Sequence, residues 1–308
     1  MFFSAFTTLF RREQSPPAAP GDILTDLGRV ETFPTLSDTA TRTLAVTNDP
    51  DATLADLAEL IRRDGFLAAA VLKLANSAAY RGRYPTETLS QATNRLGMTG
   101  CQRVIAAVGV RGMFKAPTPL VAAACDVLLR HALFTAAVAA RLNAAGRLGF
   151  RGEEFTAGLL HDIGRVILCA RAPDAFWRID PMTFREGLDT LADERDGIGI
   201  DHCEVGLLFA RANALPQPIA AAIRHHHTPE VESDHGTLVA LTATADALTN
   251  HVQRERKLSD FRPETCFGYA RLAALIGAYA IRDVRKAISA AVVDALRETR
   301  AMLRITAH

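Results

Sequence analysis

The stretch AGLLHDIGRVIL, residues 157–168, decides how the rest of the chain is read. Its apolar residues recur at helical spacing, and His161 and Asp162 stand side by side in the middle of what reads as one apolar helix. A carboxylate buried in such a helix is strongly disfavoured unless a partner offsets the loss of water. Leu159 and Val166 flank Asp162 and draw it inward. Gly158 and Gly164, three residues to either side of His161, leave that area bare, so that a second helix or a ligand can approach closely. Two partners suit the dipeptide equally: a hydrogen bond from a neighbouring helix, or a metal ion.

Outward from this stretch the pattern stays helical. DATLADLAELIRRD sets Leu54, Leu57, Ala58 and Ile61 on one helix face, with Asp51 or Thr53 as N-cap. FLAAAVLKLANSAAY repeats the pattern with Leu67, Val71, Leu74 and Ala78. Two short helices come next, broken between Gly97 and Gly100, and the paired prolines of KAPTPL, residues 115–120, mark an internal boundary. Then come a long helix from about Val121 to Ala145, the His-Asp helix, an irregular region from Pro173 to about Gly199, helices near 202–213, 217–227 and 236–252, and a C-terminal helical pair over 265–304. Alternating β-branched runs are nearly absent, so the expected class is all-α. Residues 1–12 read as a short amphipathic helix and 12–22, rich in proline and small residues, as a linker.

The bulk numbers exclude some functions. The chain has 308 residues, 49% hydrophobic and 22% charged, with a formal net charge of +1. That charge gives no bulk reason to expect nucleic acid or an acidic membrane as partner. No run approaches the roughly 20 apolar residues of a transmembrane helix, and the N-terminus lacks the order of a secretory signal. The five scattered cysteines form no CxxC pair, which fits reduced thiols in a cytoplasmic protein.

Further polar residues stand out on separate helices. His131 shares a face with Val127, Leu128, Val138 and Leu142 and points inward, which for a lone histidine is usually a core hydrogen bond. In AAIRHHHTPE, the face defined by Ile219, Ala222 and Ile223 continues to His226 and His227, whereas His225 tilts to solvent; C-capping is the plainer role for such residues. His202 stands at a helix start after Asp201, where it could simply be part of a cap. Asp246 has Ala243, Ala247 and Asn250 as face neighbours, which by itself favours a solvated carboxylate. Imidazole and carboxylate together suit a divalent transition metal such as iron, manganese, zinc or nickel.

The order His131, His161-Asp162, Asp246 resembles the H…HD…D pattern of the HD superfamily of metal-dependent phosphohydrolases. The wider match is sharper. The stretch FPTLSDTATRTLAVTNDPDATLADLAELIRRDGFLAAAVLKLANSAAYRG, then LSQATNRLGM, GLLHDIGRVIL and GIDHCEVGLLFARANALPQPIAAAIRHHHTPE resemble an HDOD domain, from about Gly21 to Asn250. That family is an HD-related output domain of bacterial signalling proteins, close to the HD-GYP phosphodiesterases that act on cyclic di-GMP.

The resemblance implies an HDOD fold over 23–252, with an N-terminal helical lobe (23–116) packed on an HD-type lobe (121–252), in a standalone protein. It implies a role in signal transduction through a protein partner. The alternative it implies is metal-dependent phosphohydrolysis. His131, His161, Asp162 and Asp246 would hold one metal; Asp162 would bridge to a second held by His202, His226 and His227. Arg165 stands where HD-GYP members carry lysine and would grip phosphate as a catalytic residue. The GYP segment is missing, which weighs against a cyclic dinucleotide. Val127 stands where some members carry an acidic ligand for a third metal, so one or two ions are expected.

Overall fold

The computed structural model of the chain describes residue 34 and residues 52–113, 116–180, 182–184 and 188–306. The amphipathic helix and linker expected over 1–22, and Asp51 as a cap, lie outside the described residues. Every element found among the described residues is helical, in keeping with the all-α expectation.

Local chemistry sets the helix starts. Helix α1, Leu54–Arg62, begins at Thr53, whose hydroxyl accepts from Asp56 N while the Asp56 carboxylate accepts from Thr53 N. Asp64 caps α2, Gly65–Ala75, by accepting from Phe66 N and Leu67 N. The helix ends before Ala78, which is exposed and not on the buried face expected for it. Thr88 caps α3, Leu89–Gly112, in which Gly97 takes φ 67° and divides the element in two where the sequence expects a break.

Helix α4, Pro119–Gly146, carries Thr118 as N-cap and proline at its first position. It is the described helix long and apolar enough to cross a membrane by length and composition, so the expectation that no apolar run approaches that length is corrected. Nearly every residue from Leu128 to Ala140 is buried. A helix apolar all round belongs inside a protein core. The later helices are α5 (Glu153–Leu160), α6 (Ile163–Arg171), α7 (Pro173–Ile179), α8 (Leu188–Ile198), α9 (His202–Ala212), α10 (Gln217–His225), α11 (Gly236–Glu255) and α12 (Phe267–Thr306). Of these, α5, α6, α11 and α12 pack directly on α4. Gly277, at φ 80°, divides α12 into the expected pair.

The region expected to be irregular, 173–199, instead contains α7 and α8. Helix α8 buries Leu191, Glu194 and Ile198, positions i, i+3 and i+7 of one face. An acidic residue at the middle position hides the periodicity from a reading that looks for apolar residues.

One core joins α1–α3 to α4, α5, α6, α9 and α10, and a second, with Val138, Leu142, Leu241, Leu248, Leu272, Val284 and Ile288, lies between α4, α11 and α12. A buried charge ties these parts together. Glu298 of α12 is fully buried and accepts from Tyr80 Oη at 2.6 Å, from Arg103 Nη1 of α3 at 3.2 Å and from Arg141 Nη1 of α4. Burial pushes the Glu298 carboxyl up, but the two guanidinium groups outweigh it and hold it below its ordinary value of 4.5. A depressed carboxyl contributes stability above the unfolded value and loses it as pH falls through that range. Glu298→Gln is therefore expected to destabilise the fold by about 3 kcal/mol at neutral pH. It should also flatten the loss of stability in acid below about 4.5; urea midpoints at pH 7 and pH 4 check both, and equal midpoints for the two proteins would show that the network contributes nothing.

Candidate metal centre

The stretch 157–168 is not one helix. Helix α5 ends at Leu160 and α6 starts at Ile163, with Asp162 at φ −102°, ψ 16° between them. The break turns both side chains into one space. Two glycines let the neighbours close on it. A Cβ on Gly158 would stand 2.7 Å from Ala136 Cα of α4, and one on Gly164 would stand 1.9 Å from the His202 carbonyl oxygen at the start of α9. The bare surface expected around His161 is thus filled by two other helices, the ones that carry His131 and His202.

Two groups of donors meet at Asp162. On the Oδ2 side, His131 Nε2 lies 3.7 Å and His161 Nε2 3.6 Å away, the two nitrogens 3.3 Å from each other. Asp246 Oδ1 lies 3.0 Å from His131 Nε2 and 3.4 Å from His161 Nε2. On the Oδ1 side, His226 Nε2 is 3.4 Å and His202 Nε2 3.6 Å away, and His227 Nε2 is 3.2 Å from His202 Nε2. Asp246 is buried, not solvated as its helix face suggested; Asn250, one turn on, donates to its Oδ1 at 2.9 Å. His225 stands apart from both groups, its Nε2 4.0 Å from Glu232 Oε2.

Hydrogen bonds on the far side of four rings fix which nitrogen faces inward. His131 Nδ1 meets Gln253 Oε1 at 2.7 Å, His161 Nδ1 the Gly158 carbonyl at 2.8 Å, His202 Nδ1 Glu194 Oε2 at 2.7 Å and His226 Nδ1 the Ile223 carbonyl at 3.0 Å. Each partner is an acceptor, so each Nδ1 donates and each Nε2 is turned toward the carboxylates, with a lone pair there whenever the ring is neutral. Lone pairs and carboxylate oxygens this close repel unless something positive lies among them. Buried Asp162 Oδ1 and His226 Nε2 also have no hydrogen-bond partner. Donors sharing an ion at about 2.0–2.2 Å stand roughly 3.0–3.5 Å apart, close to the spacings found here. The residues therefore fit a divalent cation in each group.

Protons are the competing positive charge. Burial pushes His202 and His226 down, but Glu194 beside His202, and Cys203 and Asp162 beside His226, hold both well above the usual histidine range. Burial together with these two rings drives His227 well below it. Burial pushes the Cys203 thiol up, but the same two rings bring it down to about 7. Asp162 and Asp246 stay ionised: burial opposes this, and the surrounding imidazoles, with Arg165 beside Asp162, outweigh it.

Arg165 lies beside Asp162 in the interior. It is fully buried, with Nη1 donating to Asp162 Oδ2 at 2.8 Å and Nε to Asp180 Oδ2 at 3.0 Å, so its guanidinium is committed to two carboxylates and is not turned outward to a phosphate. Sequence reasoning missed Glu194, Gln253, Asn250, Asp180 and Phe184. Phe184 stacks on the His131 ring at 5.5 Å between centroids. Asn250 and Gln253 carried a weak signal, one and two turns beyond Asp246 on the same helix; the others lie in the region that read as irregular.

The chain matches the HDOD domain over residues 33–229 and belongs to the HDOD family. It is similar to an HDOD domain protein of unknown function from Geobacter sulfurreducens, with 24% identity, a TM-score of 0.72 and coverage of 91% of this chain and 99% of that one. A Shewanella amazonensis protein provisionally named a phosphohydrolase is 23% identical, with a TM-score of 0.66 and coverage of 90% and 97%. These likenesses concern the fold. An uncharacterized protein of Treponema pallidum is 25% identical over 246 residues, 76% of this chain and 46% of that protein. The chain thus spans about half the length of the curated relative it matches.

This geometry has two measurable consequences. Because raised His202 and His226 hold protons at neutral pH, a cation must displace them, so its affinity rises with pH, by about tenfold per unit for each proton displaced. Cobalt(II) calorimetry from pH 6 to 8, in buffers of different ionisation enthalpy, measures that release, and a pH-independent affinity would contradict it. Gly164→Ala places a methyl against the His202 carbonyl and is expected to cost about 3 kcal/mol, read by urea unfolding, with α9 forced off the His-Asp turn.

Proposed function

We propose that the protein is a bacterial, cytoplasmic signal-transduction protein whose HD-type lobe (121–252) carries a centre for two divalent transition-metal ions, with the N-terminal lobe (23–116) engaging a protein partner and 265–304 as an extension. The ligands would be His131, His161, Asp162 and Asp246 for one ion, and Asp162, His202, His226 and His227 for the other. The observation that carries the metal reading is the single buried carboxylate of Asp162, whose two oxygens face different groups of inward-turned imidazoles. Support for the signalling reading comes from the HDOD match, which extends over α1–α3, elements that supply none of these donors.

A second reading, metal-dependent phosphohydrolysis, is favoured by that same bridging position. Ions in such a centre supply Lewis acidity toward phosphoryl oxygens and an acidified water as nucleophile. The chain's own contribution would be to hold the donors still. Gln253, Glu194 and two backbone carbonyls fix the ring tautomers, and the donor set is buried apart from a partly exposed edge at His227. Against this reading, Arg165 is committed elsewhere and Phe184 covers one face of His131.

Elemental analysis of the full chain, purified without added metal beside Asp162→Ala, tests the proposal. One or two equivalents of iron, manganese, zinc or nickel are expected, lost in the variant. No metal in a folded protein overturns it. On the loaded protein, hydrolysis of bis(p-nitrophenyl) phosphate or a cyclic dinucleotide that disappears with the metal selects the enzyme. A loaded protein without turnover selects the metal-stabilised signalling role.

A further inference from the structure

Asp162 faces both donor groups, so the way its carboxylate is held decides whether two ions can share it. The oxygen on the His131–His161 side, Oδ2, already accepts a hydrogen bond at 2.8 Å from Arg165 Nη1. A guanidinium in that position aims the carboxylate, and it also opposes any cation drawn to the same oxygen. In this buried surrounding the opposition is poorly screened.

The opposing charge is met from behind. Asp180, buried in the segment after α7, accepts from Arg165 Nε at 3.0 Å and from Nη2 through its Oδ2, while its Oδ1 accepts from Met182 N at 2.8 Å. Both Asp180 oxygens are used within the protein, so the residue is placed to act through Arg165.

We propose that Asp180 is a positioning residue for the metal centre: by neutralising Arg165 it lets the guanidinium aim Asp162 without excluding a cation from the His131–His161–Asp246 side. The proposal rests on the two-ion reading of the site. It separates the two sides of the centre, because Arg165 bonds Oδ2 and not Oδ1. Loss of the Asp180 charge should leave the His202–His226–His227 side occupied and empty the other.

The test loads the metal-free full chain with cobalt(II), followed by desalting and elemental analysis, for the wild type, Asp180→Asn, and Asp180→Asn with Arg165→Met. Asparagine keeps an oxygen for Met182 N and removes only the charge. The expected result is two cobalt ions per wild-type chain, one in D180N, and two again in the double variant, since deleting the guanidinium removes the obstacle. Two ions in D180N overturn the proposal. One ion in both variants also overturns it, because it would mean that Asp180 serves only as a structural anchor. If D180N loses its helical circular dichroism, the double variant decides: folded with two ions supports the proposal, any other result overturns it. A wild-type chain that binds fewer than two ions is a different failure, that of the two-ion reading itself.

Discussion

The arrangement of this molecule depends on one carboxylate, that of Asp162, held between two sets of imidazoles in a place water does not reach. An ionised carboxylate there is strongly disfavoured unless positive charge and hydrogen bonds surround it. The surrounding chain supplies them from many directions. His131 arrives on α4, His161 from the preceding residue, His202 at the start of α9, His226 and His227 at the end of α10, and Arg165 from one turn further along the chain. The turn between α5 and α6 makes this possible. In an unbroken helix, adjacent residues diverge by about 100°, and the turn brings His161 and Asp162 toward one space.

Close backbone approach is the second requirement, and it explains two glycines that composition alone leaves unremarkable. At Gly158 and Gly164 the neighbouring α4 and α9 come so near that a methyl group would overlap main-chain atoms. The helices are thereby brought within imidazole reach of the dipeptide. The long apolar α4 lines both cores, while Glu298, far away in sequence, fixes α12 to α3 and α4 through Arg103 and Arg141. Packing and polar chemistry therefore meet in α4, which buries alanines and leucines around most of its circumference and still presents His131 to the centre.

Much of this could be read in the sequence, because the signal was periodic. The helices around 202–213, 217–227 and 236–252, the break at Gly97, the division of the C-terminal pair, and the inward His226 all agree with apolar spacing. The features that could not be read have a common cause. Glu194 and Asp180 are buried acids that serve other polar residues, so they sit where a reader expects apolar side chains or solvent and make α8 and its approach look irregular. Asp246 was reached through the H…HD…D resemblance and not through its own helix face: its helix neighbours are small, and smallness leaves room for His131 and His161. The helix expected through 157–168 was wrong because local propensity does not reveal that a tertiary site needs a turn there.

The surroundings of the centre bear on what it can do. Phe184 is a bulky residue at φ 57° and Met182 lies at φ 56°, both in the left-handed region that such side chains rarely adopt. Strain of this kind persists where the structure around it holds the backbone in place. Here the Phe184 carbonyl accepts from Arg254 Nη1 at 3.2 Å, its ring is buried against His131, and Met182 N is tied to Asp180. The segment that covers one face of His131 is thus anchored by the same acid that neutralises Arg165. Of the five histidines and two aspartates gathered here, His227 alone is only partly buried, so the two sides of the candidate centre differ in their exposure to solvent as well as in their charge. A site with two exposed ions and a free guanidinium would be shaped for phosphate. Here Phe184 stacks on His131 and the guanidinium is bonded inward to Asp162 and Asp180, so the surroundings hold these side chains in place.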